Sequence, residues 1–149
     1  DSNCVVASNF AISAVLMMRF AEIAAPHFNN VEIIEYHHNS KIDAPSGTAL
    51  TTAERISASS SEWDKSSTSN RILEGARGGI TEDGISIHSV RMEGMVAHQD
   101  VIFGTEGQTL TIRQDSYDRS SFMPGVLLAV KKVGDFPGIT LGLEALLNL

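Results

Sequence analysis

Cysteine is almost missing from this chain: Cys4 stands alone among 149 residues. That excludes an internal disulfide framework and any cysteine-built zinc centre, and it fits a reducing, cytoplasmic setting. Cations are also scarce. Eleven Lys and Arg face eighteen Asp and Glu, for a formal charge of −7, and the few basic residues are scattered. A phosphate backbone needs a basic stripe, so no nucleic acid is expected as a partner. Long apolar runs are absent too. The longest, Phe10 to Pro26, is broken by Ser13, Arg19 and Glu22, short of a bilayer span, so it reads as a core helix with no membrane role. No Gly-x-Gly-x-x-Gly occurs, and Gly75-Ala76-Arg77-Gly78-Gly79 has the wrong spacing and no strand-to-helix setting. A dinucleotide-binding core is therefore expected outside this chain. The start at Asp1, followed at once by a strand-like Cys4-Val5-Val6-Ala7 without a charged leader, reads as a cut inside a larger protein.

What is present is a globular composition, 42% hydrophobic and 19% charged, at the length of one domain. Asn9 is placed to cap a helix from Phe10 to about Ala25, whose face would carry Ile12, Val15, Leu16, Arg19, Phe20 and Ile23, with Pro26 ending it. Val31 to Tyr36 reads as a strand. Ser46 can cap a second helix from Gly47 or Thr48 to about Ala58. Ser57 to Asn70 is Ser-rich and weakly apolar, an exposed linker in which Trp63 makes a small satellite contact. Alternation then predicts three strands, Ile85 to Val90, Val96 to Phe103 and Thr109 to Arg113, with turns at Glu93-Gly94 and Glu106-Gly107. Ser120 or Ser121 is expected to cap a last helix with Pro124 in its first turn, Lys131 and Lys132 near its end and Gly134 as its stop, burying Val126, Leu127 and Val130. The apolar tail from Leu141 to Leu149 needs a partner surface.

Chemistry concentrates between the first full strand and the second helix. Two imidazoles (His37, His38), an ammonium (Lys41), a carboxylate (Asp43) and the hydroxyls of Ser46 and Thr48 fall within twelve residues. Taken singly, each is common as a structural histidine or a plain helix cap; gathered so tightly, they read as a site. Pro45 holds Ala44 extended, and Gly47 permits close approach of a ligand to the backbone. The helix start would offer amide donors, joined by Ser46, Thr48 and Lys41, to a carboxylate or phosphate. The spacing is not that of a P-loop, so nucleoside triphosphates are not implied. Adjacent histidines at a strand end point to opposite sides, which gives His37 and His38 different tasks, one in proton transfer and one in gripping a ligand. A metal set of His37, His38, Asp43 and His98 has suitable donors, but consecutive histidines seldom aim at one ion. The site is therefore read as metal-free, with His27, His88 and His98 as surface or strand residues.

The run Glu35-Tyr36-His37-His38-Asn39-Ser40-Lys41-Ile42-Asp43-Ala44-Pro45-Ser46-Gly47-Thr48-Ala49 resembles the Glu-x-His-His-x-x-Lys-x-Asp-Ala-Pro-Ser-Gly-Thr-Ala signature of the 4-hydroxy-tetrahydrodipicolinate (dihydrodipicolinate) reductases. The resemblance extends to Ala7-Ser8-Asn9-Phe10, Gly75-Ala76-Arg77-Gly78, Val96-Ala97-His98-Gln99, Phe103-Gly104-Thr105-Glu106-Gly107 and Asp115-Ser116-Tyr117-Asp118-Arg119. It looks like the actinobacterial branch. It implies an α+β fold, a mixed β-sheet with helices on one face, without the Rossmann half. Residues 1–11 would end the cofactor domain and form a hinge, 12–120 would bind substrate and tetramerise, and 121–149 would return to the cofactor domain. The implied reaction is NADH- or NADPH-dependent reduction of 4-hydroxy-tetrahydrodipicolinate to tetrahydrodipicolinate, toward diaminopimelate and lysine. By the same resemblance His37 and Lys41 are the acid/base pair, with Lys41 protonating the ring. His38, Lys41, Ser46, Gly47 and Thr48 would bind the small dicarboxylate, and Ala7, Ser8, Asn9 and Phe10 would border the nicotinamide. The alternative is a catalytically silent oligomerisation fragment of that enzyme. In either case the chain alone is expected to lack reductase activity.

Overall fold

The structure, a computed structural model, describes residues 2–60, 63, 68 and 70–149. The elements run β1 (Cys4–Val6), α1 (Ile12–Ala24), β2 (Asn30–His37), α2 (Gly47–Ser59), β3 (Gly79–Ile80), β4 (Ser86–Arg91), β5 (Ala97–Thr105), β6 (Gln108–Ser116), α3 (Met123–Lys132), β7 (Ile139–Leu141) and α4 (Glu144–Leu147). Five strands form one mixed sheet in the order β3-β4-β2-β5-β6. β2 and β4 are parallel and the other pairs antiparallel.

Strand alternation sorts the side chains of this sheet. Val31 and Ile33 of β2, opposite Phe103 and Val101 of β5, face Met17, Met18 and Ala21 of α1 and Ala49, Ala53 and Ile56 of α2, all in one buried cluster. Both helices thus cover the same face, as the α+β expectation has it. The turns at Gly94 (φ 83°) and Gly107 (φ 74°) have the left-handed backbone that favours glycine. No helix among the described residues is long and apolar enough to cross a membrane.

Several expectations are corrected. Asn9 does not cap α1: the cap position is Ala11, without a side-chain hydrogen bond. Nor does α1 bury the expected face. Val15 is buried, but Ala14, Met17, Met18, Ala21 and Ala24 form most of its inner side, while Phe20 and Ile23 stay 50% and 56% exposed. Ala14, Ala21 and Ala24 leave room for α1 to pack against α2 and the sheet while Met17 and Met18 fill the core, so packing overrides the larger hydropathy of Phe and Ile. At α3, neither Ser120 nor Ser121 caps the helix. Asp118 accepts from the Ser120 N–H and opens a 3₁₀ turn, Arg119–Phe122, that leads into α3. The buried residues of α3 are Gly125 and Ala129, whereas Leu127 and Val130 are exposed and Val126 is half-buried. Glycine is required at 125 because an added Cβ would run into the Phe10 carbonyl oxygen. α3 stops at Lys132, before Gly134, which lies in the 3₁₀ turn Val133–Asp135.

Part of the apolar tail finds its partner within the chain. β7 pairs in parallel with β1, and Leu143 and Leu146 are buried with Val15 and Ala129 in a second cluster. Strands β3 and β7 carry too few residues to show a period in sequence. Of the expected linker, Ser57–Ser59 belong to α2, Trp63 packs on the edge of the main cluster as a satellite, and most of the remainder lies outside the described residues.

Candidate ligand cleft at the start of α2

Strand β2 ends in a buried polar cluster. Glu35 has no exposed surface, because its place in the alternation after Val31 and Ile33 turns it toward the helices. Its carboxylate receives two hydrogen bonds from Arg91, at 2.8 and 2.7 Å, and one from the Ser46 N–H at 3.2 Å, and it meets His37 Nδ1 at 2.5 Å. Burial opposes ionisation of Glu35, but the hydrogen bonds from His37, Arg91 and Ser89 outweigh it and hold the pKa at about 2. An ionised Glu35 can only accept, so Nδ1 of His37 carries a proton and Nε2 is left for other partners. Arg91 also donates to the Asp43 carbonyl at 2.8 Å, pinning the loop that contains a cis Ala44-Pro45 bond.

The loop ends in a helix start with oriented hydroxyls. Ser46 Oγ accepts from the Ala49 N–H at 3.2 Å. Thr48 Oγ1 accepts from Asn9 Nδ2 at 3.2 Å, and Asn9 Oδ1 accepts from the Ala11 N–H at 2.8 Å. Each hydroxyl has a lone pair occupied by an N–H, and among the described residues none accepts its hydrogen. Both residues line one cleft of about 210 Å³ with Ser8, Asn9 and His37. The opposing strands supply His98, Gln99, Gln114 and Ser116. There His98 bonds through Nδ1 to Asp115 at 2.7 Å and accepts from the Val96 N–H at 3.3 Å. Asp115 is lowered below the ordinary aspartate value, first by its hydrogen bond with Arg113.

Known proteins resemble this chain over nearly its whole length. The family profile described as dihydrodipicolinate reductase, C-terminus, matches residues 13–147. The chain belongs to this family. It is 58% identical over 147 residues to the 4-hydroxy-tetrahydrodipicolinate reductase of Corynebacterium urealyticum, covering 97% of this chain and 59% of that protein. With the reductase of Mycobacterium sp. strain KMS it shares 56% over 153 residues, covering 100% and 61%. A solved structure, dipicolinate-bound dihydrodipicolinate reductase from Paenisporosarcina sp. TG-14, superimposes with a TM-score of 0.87 at 51% identity, covering 97% of this chain and 54% of that one. The chain spans about 60% of the length of the curated relatives it matches.

Within this member of the dihydrodipicolinate reductase family, Ser8, Asn9, His37, Ser46 and Thr48 come together at the cleft. The other residues singled out in sequence lie around it. His38 is exposed, with Nδ1 on Ser40 Oγ at 2.8 Å, and Lys41 Nζ donates to Asp43 at 2.6 Å. Gly47 is exposed, with open space where a Cβ would be. Ala7 and Phe10 turn the other way and pack against the second apolar cluster. Among the described residues no three His, Cys, Asp or Glu side chains are grouped to hold a metal.

Sequence reasoning passed over Glu35 and Arg91 as site residues, and with them Gln99, Gln114 and Ser116; it weighed His98 as a metal donor and then read it as a surface or strand residue. Glu35 left a readable signal: a carboxylate at a core position of an alternating strand needs a cation. Arg91 left none, because only the parallel register, with His37 beside Arg91, brings it there.

Proposed function

We propose that this chain is the substrate-binding part of a 4-hydroxy-tetrahydrodipicolinate reductase, which converts that cyclic dicarboxylate to tetrahydrodipicolinate, with a hydride and a proton taken up and the hydroxyl lost as water, toward diaminopimelate and lysine. The observation that carries the reading is the pair Ser46 and Thr48, each with a hydroxyl hydrogen that no described residue accepts and both lining a cleft that also includes His37. A carboxylate is the acceptor that suits two such donors beside a helix start. The Gly47 and Thr48 N–H groups lie in the first turn of α2, where backbone donors lack helical partners, and would complete the grip.

Proton handling falls to His37 and Lys41. Glu35 fixes the His37 ring through Nδ1, so Nε2 is the nitrogen that exchanges a proton with the ligand. Lys41, seated on Asp43, exchanges that carboxylate for the ligand and protonates the ring, while His38 on the same exposed loop closes over the second carboxylate. Fixing the ligand with separate donors leaves these groups to act at a defined atom.

The residues beside the cleft fit a nicotinamide cofactor, NADH or NADPH. Ser8 and Asn9 border the ligand space, and Ala7 and Phe10 anchor their backbone in the second apolar cluster. When bound, that cofactor supplies the hydride. Its main domain would add to the β1–β7 pair, which is too small to stand alone and leaves Val6, Ile139 and Leu141 exposed by 53%, 74% and 76%. In that arrangement residues 1–11 and 121–149 belong with the cofactor domain and 12–120 with the substrate domain. The sheet face not covered by helices, bearing Ile34 and Ile102, supports a homotetramer, and the free, exposed Cys4 suits the reducing cytoplasm of a biosynthetic enzyme.

Calorimetric titration of the chain with pyridine-2,6-dicarboxylate tests the reading. Binding is expected, and Thr48→Val should weaken it about tenfold, the scale of one charge-assisted hydrogen bond. The uncovered sheet face favours a second reading, a silent oligomerisation segment; a tetramer in ultracentrifugation that gives no heat with the dicarboxylate would establish it.

A further inference from the structure

We infer that Asn9 is a positioning residue for the ligand carboxylate, acting through Thr48. The inference rests on the carboxylate reading of the cleft and adds a residue from outside the loop that carries it.

The orientation of the Asn9 amide follows from what its neighbours can do. The Ala11 N–H can only donate, so the Asn9 atom it meets at 2.8 Å is the oxygen. The other terminal atom is then the NH₂, which donates to Thr48 Oγ1 at 3.2 Å. Thr48 receives a hydrogen bond and keeps its own hydroxyl hydrogen to give. No described residue accepts that hydrogen, and Thr48 borders the cleft, so the ligand is the acceptor. Asn9 thereby fills one of the two hydroxyl lone pairs and biases Thr48 toward donating. Such a donor favours a carboxylate over an amide of the same shape, because it leaves an amide N–H unpaired.

The contact also crosses the fold. Asn9 lies between β1 and α1, Thr48 lies in the first turn of α2, and 39 positions separate them. A shift of the segment before α1 relative to α2 would release the Thr48 hydroxyl. Carboxylate selectivity therefore depends on how the two segments are docked.

Asn9→Asp reverses the hydrogen bond but also adds a charge that repels a dicarboxylate, so its effect is taken as the part lost when the same substitution is made in a Thr48→Val background. The aspartate keeps an oxygen for the Ala11 N–H but faces Thr48 with an acceptor, so the hydroxyl donates to it and shows the ligand a lone pair. The readout is the ratio of dissociation constants for pyridine-2,6-dicarboxylate and pyridine-2,6-dicarboxamide, measured on the whole chain by calorimetry. The preference for the dicarboxylate should fall about tenfold or more in Asn9→Asp and by less in Asn9→Ala. In a Thr48→Val background, Asn9→Ala should leave the ratio unchanged. A purely structural role for Asn9 would weaken both ligands alike and persist without the Thr48 hydroxyl; that result, or an unchanged ratio in a folded variant, overturns the inference and leaves the carboxylate reading intact. A wild-type chain that binds neither ligand sinks both. Should the aspartate variant fail to fold, the Asn9→Ala and Thr48→Val cycle decides alone.

Discussion

Glu35 is a carboxylate with no solvent contact, held by Arg91 from β4 and by His37 two residues along its own strand. Removing its charge while keeping its shape leaves the half-buried Arg91 guanidinium without its main counter-ion. Glu35→Gln should therefore cost about 3–5 kcal/mol in urea unfolding. Adding Arg91→Met should recover part of that loss; strictly additive losses would show that the pair does not interact. The pH dependence has a definite sign. The Glu35 pKa is about 2 in the folded chain against an ordinary 4.5, so its contribution, about 3 kcal/mol, is complete above pH 4.5 and drains away as pH falls toward 2. Glu32, Asp43, Asp115 and Asp118 are lowered as well, so acid weakens the chain through several groups. The share due to Glu35 is the difference in acid sensitivity between wild type and Glu35→Gln, measured as urea midpoints at pH 6 and pH 3. Equal sensitivity in both proteins would remove Glu35 as a source. The motif around His37 was legible residue by residue, and so was the cap at Ser46. Arg91 was not, since a long-range strand register has no local mark.

Among the elements, helices were easier to place than to orient. The spans of α1 and α2 follow from spacing, Pro26 and Ser46, but the inner face of α1 is built on alanine and methionine, which a hydropathy ranking places below Phe20 and Ile23. The same held for α3, whose contact surface is Gly125 and Ala129. Close approach of backbones is a tertiary demand, and small residues answer it without adding apolar signal. Gly125→Ala should destabilise the chain by about 1–3 kcal/mol by forcing α3 away from the Phe10 carbonyl. Gly134→Ala meets nothing within 4 Å and should stay near wild type. Equal melting temperatures for the two variants would contradict the close packing. Ser46→Ala should cost about 1 kcal/mol through loss of the cap and should also weaken dicarboxylate binding; a stability loss with unchanged binding would confine Ser46 to its structural role.

At the scale of the molecule, one helix-covered sheet carries the cleft, and a smaller unit of β1, β7, α3 and α4 closes around Val15 with exposed apolar flanks. The three strands after Ile85 were visible as patterns of alternation and breaks, whereas the α+β class was implied only by the family resemblance. The β1–β7 pairing joins the two ends of the chain, and no local period announces it. Reductase turnover requires a cofactor placed against the ligand, so the chain by itself should bind the dicarboxylate and reduce nothing. The most direct test of the central claim is a crystal structure of the chain grown with pyridine-2,6-dicarboxylate. One carboxylate should lie within hydrogen-bond distance of Ser46 Oγ and Thr48 Oγ1, with the ring beside His37. A ligand seated elsewhere, such as the apolar hollow between Phe20 and Ile112, with the α2 cleft empty, would contradict it.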